Sequence, residues 1–202
     1  MKDIVLTGPK YSGKTSAGRA IASLRSLEFI DMDESIFQRT GKSPRQLYSE
    51  SKANFQKAEA ETAEAVFTYS NYPAGYFSDN SRAGAACQTP QRVIAAGGGI
   101  IDNPEAVAKI KNINSIIVCL NISADCAWNR IMSNGRQDQF LTSDNFHSIL
   151  PPFLQTENPQ ETHRSLHEQR AAAYMQVADI VIEVNEKKPE EIAAEILERI
   201  GK

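Results

Sequence analysis

The sequence predicts an α/β fold with a five-stranded parallel sheet covered by helices on both faces. Short apolar runs of strand length alternate with stretches of helical periodicity. A glycine loop joins the first run directly to the first helix, as in phosphate-binding crossovers. At 202 residues the chain suits one domain with a continuous core.

Ile4 to Leu6 reads as the first strand, followed by the loop and a helix from about Lys14 to Leu27. Phe29 to Asp31 is a second strand, and Asp33 to Thr40 a helix stopped by Gly41. Ser43-Pro44 restarts a helix with a cap and a proline at its first position. Residues 50 to 69 place Phe55, Ala58, Thr62, Val66 and Tyr69 on one helical face. Arg92 to Ala96 is a third strand, Pro104 to Lys111 a helix, and Ile116 to Leu120 a fourth strand. Helices from about Ala124 to Met132 and Thr162 to Val177 precede a fifth strand, Ile180 to Val184. Pro189 opens the last helix, whose Ile192, Ile196, Leu197 and Ile200 form an apolar stripe expected to be core. Two proline- and glycine-bearing stretches interrupt this rhythm: an insertion at about 70–91 and a lid region at about 135–161.

Hydrophobic content of 41% and charged content of 23% are those of an ordinary globular protein. A net charge of −3 argues against a protein that coats nucleic acid, and no apolar run is long enough for a membrane span. Three cysteines, Cys87, Cys119 and Cys126, form no CxxC pair, the pattern of reduced thiols. The N-terminus has no long apolar region or cleavage site of an export signal. The expectation is a cytoplasmic monomer acting on a small molecule.

Gly8-Pro9-Lys10-Tyr11-Ser12-Gly13-Lys14-Thr15 fits G-x-x-x-x-G-K-[ST] in full. Its glycines let backbone N–H groups wrap phosphates, and the helix that follows aims its positive end at them. Lys14 can reach the β- and γ-phosphates of ATP, and the Thr15 hydroxyl can ligate Mg²⁺. The expected nucleotide site is Gly8, Ser12, Gly13, Lys14, Thr15 and Ser16.

The second strand ends in Asp31-Met32-Asp33. A parallel strand presents its C-terminal end to the ligand crevice, so both carboxylates are expected there. Spaced two apart in extended chain, they would point to the same side. One can hold a magnesium-bound water and the other a substrate hydroxyl; a solvated turn or a cap by Asp33 is the plainer alternative. Gly97-Gly98-Gly99 after the third strand offers bare backbone to a substrate, or forms a tight turn.

Taken together, these features resemble the shikimate kinase family of P-loop enzymes, from about residue 3 to residue 200. The P-loop, Asp31-Met32-Asp33, Arg39-Thr40-Gly41, the glycine run, and Arg170 four residues before Tyr174, with Ala178-Asp179 following, occur in that family's order. The resemblance implies a three-layer α/β/α P-loop kinase that uses ATP and Mg²⁺ to phosphorylate shikimate. It implies that Asp31 helps position Mg²⁺ and that Asp33 binds an acceptor hydroxyl and draws off its proton. Gly97, Gly98 and Gly99 would line the acceptor pocket, with Glu59 beside them and Arg170 gripping the acceptor carboxylate. Arg130 would lie against adenine at the end of its helix. Arg136 would be the lid arginine that neutralises charge on the transferring phosphoryl group.

The sequence departs from the family at one acceptor position. Where the family has phenylalanine-arginine and then glutamate, this chain has Phe55-Gln56 and Glu59. Gln56 has neither the charge nor the bidentate fork of arginine, and Lys57 would point about 100° away on a helix. Arg136-Gln137-Asp138-Gln139-Phe140-Leu141 also replaces the family's arginine-proline-leucine-leucine. Three readings therefore stand: a shikimate kinase, a kinase of another small hydroxy-acid such as a sugar acid, or a nucleotide-binding protein without phosphotransferase activity.

Other signals carry less. His163 and His167, four apart, read as a solvated lid helix and not a zinc site, and Trp128 as packing. Lys187-Lys188 is too short a basic run to imply nucleic acid.

Overall fold

A computed structural model describes residues 2–67, 92–111, 115–136 and 150–201, with only the backbone of 134–136. The expected 70–91 insertion, Tyr69, Cys87 and residues 137–149 of the lid region lie outside the described residues.

Five strands form one parallel sheet: β1 (Asp3–Thr7), β2 (Glu28–Asp31), β3 (Arg92–Ala95), β4 (Ser115–Asn121) and β5 (Ile180–Glu183), in the order β2-β3-β1-β4-β5. Register is set by Val5 opposite Ile94 and Ile117, and by Leu120 opposite Ile182. The helices are α1 (Lys14–Arg25), α2 (Met32–Thr40), α3 (Pro44–Glu50), α4 (Lys52–Phe67), α5 (Pro104–Lys111), α6 (Ala124–Arg136), α7 (Pro159–Val177) and α8 (Pro189–Ile200).

Side chains alternate across a strand, so β1 feeds two cores. Ile4 and Leu6 pack with Ile21 of α1 and with Ile192 and Ile196 of α8. Val5 packs on the other face with Ala63 and Val66 of α4 and Ile110 of α5. This is the expected layering of helices on both sides of a buried parallel sheet. The α8 stripe lies in the first core, with Leu197 and Ile200 at its margin. An ion pair closes the strand start: Arg92, 3% exposed, meets the Asp3 carboxylate at 2.5 Å and donates to the Val66 carbonyl at 2.9 Å. No described helix is long and apolar enough to cross a membrane.

Several expected boundaries move, for local reasons. α2 begins at Met32 because Asp31 caps it, accepting from the Asp33 N–H at 3.0 Å. Asp33 therefore lies in a first helical turn and not in extended chain, and it is capped instead of capping. α3 starts as read, with a reciprocal Ser43–Gln46 capping box and Pro44 at its first position. α6 continues past Met132 to Arg136, since Gly135 falls in the last turn, where a glycine is tolerated. Arg130 is thus mid-helix. α7 starts earlier than expected because Pro159 occupies its first turn, where its missing N–H is harmless.

The reading of His163 and His167 as a solvated face is corrected. His163 is 7% exposed, with its ring 5.7 Å from that of Trp128 and 5.9 Å from that of His167. Burial holds the His163 imidazole down to about 4, with His167 beside it adding to the effect. Trp128 packs as expected, at the margin of a small core of Ile131, Leu150 and Leu154. Among the described residues no cluster of three or more His, Cys, Asp or Glu side chains could hold a metal.

Candidate active site

The P-loop turns tightly between β1 and α1. Gly8 has φ +133°, and a Cβ there would come within 2.5 Å of the Leu120 carbonyl oxygen, so only glycine fits. Gly13, also at positive φ, precedes the first turn of α1, whose free N–H groups face the loop. Lys14 is folded back over its own loop, donating to the carbonyls of Gly8 at 2.9 Å and Pro9 at 2.8 Å and to Ser12 Oγ at 3.4 Å. Burial lowers its ammonium to about 8, partly offset by Asp33, so it is charged at neutral pH. Within the loop, Gly8 and Ser12 are buried.

The Thr15 hydroxyl donates to Asp31 Oδ2 at 2.8 Å, which places the two expected metal ligands side by side. One hydroxyl and one carboxylate are hard oxygen donors of the kind Mg²⁺ takes when phosphates and water complete its shell. The residues present fit that ion.

A cleft of about 710 Å³ runs from this point along the C-terminal ends of the strands. Gly13, Lys14, Thr15, Ser16 and Arg130 line it, together with Asp31 and Asp33. Gln56, Gly97, Gly98, Gly99 and Arg170 line it as well. Arg130 is anchored by donating to the Tyr11 carbonyl at 3.0 Å and to the carbonyls of Val184 and Asn185. Asp33 lines the cleft and is exposed to solvent there. Loss of water, together with Asp31, raises its carboxyl, and Lys10 and Lys14 oppose the rise.

The glycine run is pressed between both halves of the site. A Cβ at Gly98 would stand 3.0 Å from the Lys10 backbone nitrogen of the P-loop. One at Gly97 would stand 3.1 Å from Glu59 Oε1 and 3.3 Å from Asp33 Oδ1. The buried Tyr174 hydroxyl holds the run in place by donating to the Gly98 carbonyl at 2.5 Å.

Glu59 lies behind Gly97 and is 1% exposed. Its Oε2 accepts from Asn103 Nδ2 at 3.0 Å, while Oε1 has no hydrogen-bond partner among the described residues. Burial raises its carboxyl to about 7, with Asn103 opposing. The folded state therefore holds this proton more tightly than the unfolded chain does. Its contribution to stability is complete below about pH 4.5, the ordinary value, and is lost as pH rises towards about 7. Glu59→Gln removes the titration, so its melting temperature relative to wild type should rise between pH 5 and pH 8. The corresponding free energy is bounded on the order of 3 kcal/mol. Thermal melts across that range check it, and an offset that does not change with pH contradicts it.

A family model described as shikimate kinase matches residues 11–72 and 83–201. The chain belongs to the shikimate kinase family. It is thereby an ATP-dependent kinase. A shikimate kinase of Thermodesulfovibrio yellowstonii is 28% identical over 200 residues, 98% of this chain and 94% of that protein. One from Thermoanaerobacter pseudethanolicus is 29% identical, covering 98% and 95%. The solved shikimate kinase of Acinetobacter baumannii in complex with shikimate superposes with a TM-score of 0.76 at 25% identity, over 99% of this chain and 93% of that one.

Within this family architecture the cleft lining takes in the sequence-derived candidates other than Gly8, Ser12, Glu59 and Arg136. Glu59 stands behind the cleft wall rather than on it, and Arg136 closes α6 with its side chain outside the described atoms. Lys57 does not replace the missing arginine, since it is exposed and pairs with Glu61 at 3.9 Å. Several residues that shape the cleft escaped the sequence reading. Asp102 pairs with Arg170, Asn103 holds Glu59, and Tyr48 and Phe153 form an aromatic wall with ring centroids 6.5 Å apart. The signal for Asn103 is its place before Pro104, an N-cap position, confirmed by the Ala106 N–H donating to its Oδ1 at 3.3 Å.

Proposed function

We propose that this kinase transfers the γ-phosphoryl group of ATP to a hydroxyl of shikimate, giving shikimate 3-phosphate. The observation that carries the reading is the convergence of the P-loop, Asp33, the glycine run and Arg170 on one cleft, in a member of this family. Backbone N–H groups of the loop cradle the β- and γ-phosphates, with Lys14 and Ser16 beside them and Arg130 against the adenine end. Mg²⁺, when bound, neutralises phosphate charge, and Thr15 and Asp31 are the residues that would hold it.

At the acceptor end, Arg170 faces the carboxylate of shikimate, and the glycine run lets the ring approach bare backbone. Gln56 contributes a neutral donor there, and Glu59 supports the wall from behind. Asp33 accepts a hydrogen bond from the reacting hydroxyl. As the oxygen attacks the γ-phosphorus and the bond to ADP breaks, the hydroxyl proton passes to Asp33; its raised carboxyl suits it to take that proton. Arg136 is assigned to the moving phosphoryl oxygens, a role for a cation at the edge of a closing site.

Incubation with Mg-ATP and shikimate should yield a new phosphate monoester by phosphorus NMR, with ADP in equal amount. A parallel series with gluconate and other hydroxy-acids tests the second reading, which Gln56 and the Asp102–Arg170 pair keep in view. Product from a sugar acid and none from shikimate would replace the proposal.

A further inference from the structure

The Arg170 guanidinium, expected to meet the acceptor, is already engaged within the protein. Arg170 Nε lies 3.1 Å from both oxygens of Asp102, and Nη2 lies 2.5 Å from Oδ2. This is the bidentate geometry that an acceptor carboxylate would use. Asp102 stands at the end of a single 3-10 turn, Ile100–Asp102, directly after the glycine run. Among the described residues its carboxylate hydrogen-bonds to Arg170 alone. Gln56 is drawn into the same group, its Nε2 donating to the Asp102 carbonyl at 3.2 Å. The pair is only partly covered, with side chains 20% and 34% exposed for Arg170 and Asp102, so an incoming ligand can reach it. Both residues line the cleft.

Gln56 therefore accounts for only part of this site's departure from a cationic carboxylate pocket. The second arginine is absent, and the remaining one carries an internal counter-charge along its Nε–Nη2 edge. Because the Asp102 carboxylate is tethered beside Arg170, it competes at high effective concentration. Resting on shikimate as the acceptor, we propose that Asp102 is a specificity-determining residue: an acceptor carboxylate binds Arg170 only by displacing it. A neutral residue at this position frees the fork, and affinity for the acceptor rises.

The strength of a partly exposed ion pair sets the size of the effect. Asp102→Asn and Asp102→Ala should each bind shikimate about fivefold more tightly, with the KM for shikimate falling by a similar factor. The second variant removes any residual hydrogen bond that asparagine could make to Arg170. Calorimetric titration of shikimate into the wild type and both variants, with thermal melts to show that each is folded, decides the matter. Loss of a merely structural contact would weaken binding, so the sign discriminates. Shikimate turnover by the wild type, with unchanged or weaker binding in both folded variants, overturns this inference and leaves the proposed reaction standing. Binding gained by the variants, with no shikimate turnover by the wild type, supports the inference and overturns the reaction. No binding to any of the three overturns both.

Discussion

Lys14→Met is expected to lower kcat by on the order of 10³-fold. The side chain lines the cleft, held by two loop carbonyls and Ser12 Oγ, and is charged at neutral pH. Phosphoryl transfer leaves little covalent work to the protein, so positive charge at the phosphates is the main contribution this residue can make. Methionine has similar length and fills the buried space under the loop without charge. Steady-state rates, with a cooperative melt to show that the fold survives, measure the effect. Activity within tenfold of wild type would place the phosphate-stabilising charge elsewhere.

Asp33→Asn is expected to lower kcat by about 10²- to 10⁴-fold while leaving ATP affinity nearly intact. Asparagine keeps the size and the hydrogen-bonding oxygen but cannot take the hydroxyl proton. In the wild type, burial and Asp31 raise the Asp33 carboxyl, so the acid limb of kcat/KM should fall above the ordinary carboxylate range. The variant should lose that limb. A variant with near wild-type kcat, or with its acid limb in place, would show that Asp33 only orients the acceptor.

What the chain reveals before folding is mostly local. The P-loop is contiguous, and its strand and helix neighbours follow from short-range periodicity, so its conformation was readable. Asp31-Met32-Asp33 was readable as a carboxylate pair, but not as a cap and a first helical turn, because helix start and strand end compete over one residue. Gly135 and Pro159 were read as breaks, yet each sits at a helix end where its backbone is accommodated.

The contacts around Arg170 and Glu59 were hidden for a different reason. Arg170 and Asp102 are 68 residues apart, and Glu59 and Asn103 are 44 apart. Nothing in either local pattern predicts the partner, since both pairings depend on how α7, α4 and the turn after the glycine run meet in space. His163 shows the same limit: a polar side chain on a polar-looking helix is buried because Trp128 of α6 packs on it. Residue type and spacing picked out the P-loop and the side chains that line the cleft, whereas the Asp102–Arg170 and Glu59–Asn103 pairings required the tertiary arrangement.

The most direct test of the account is the initial rate of ADP release at fixed Mg-ATP as shikimate is raised from zero to saturation. The account predicts a saturable, shikimate-dependent rate that falls by on the order of 10³-fold in Lys14→Met. ADP release that does not respond to shikimate at any concentration would contradict it.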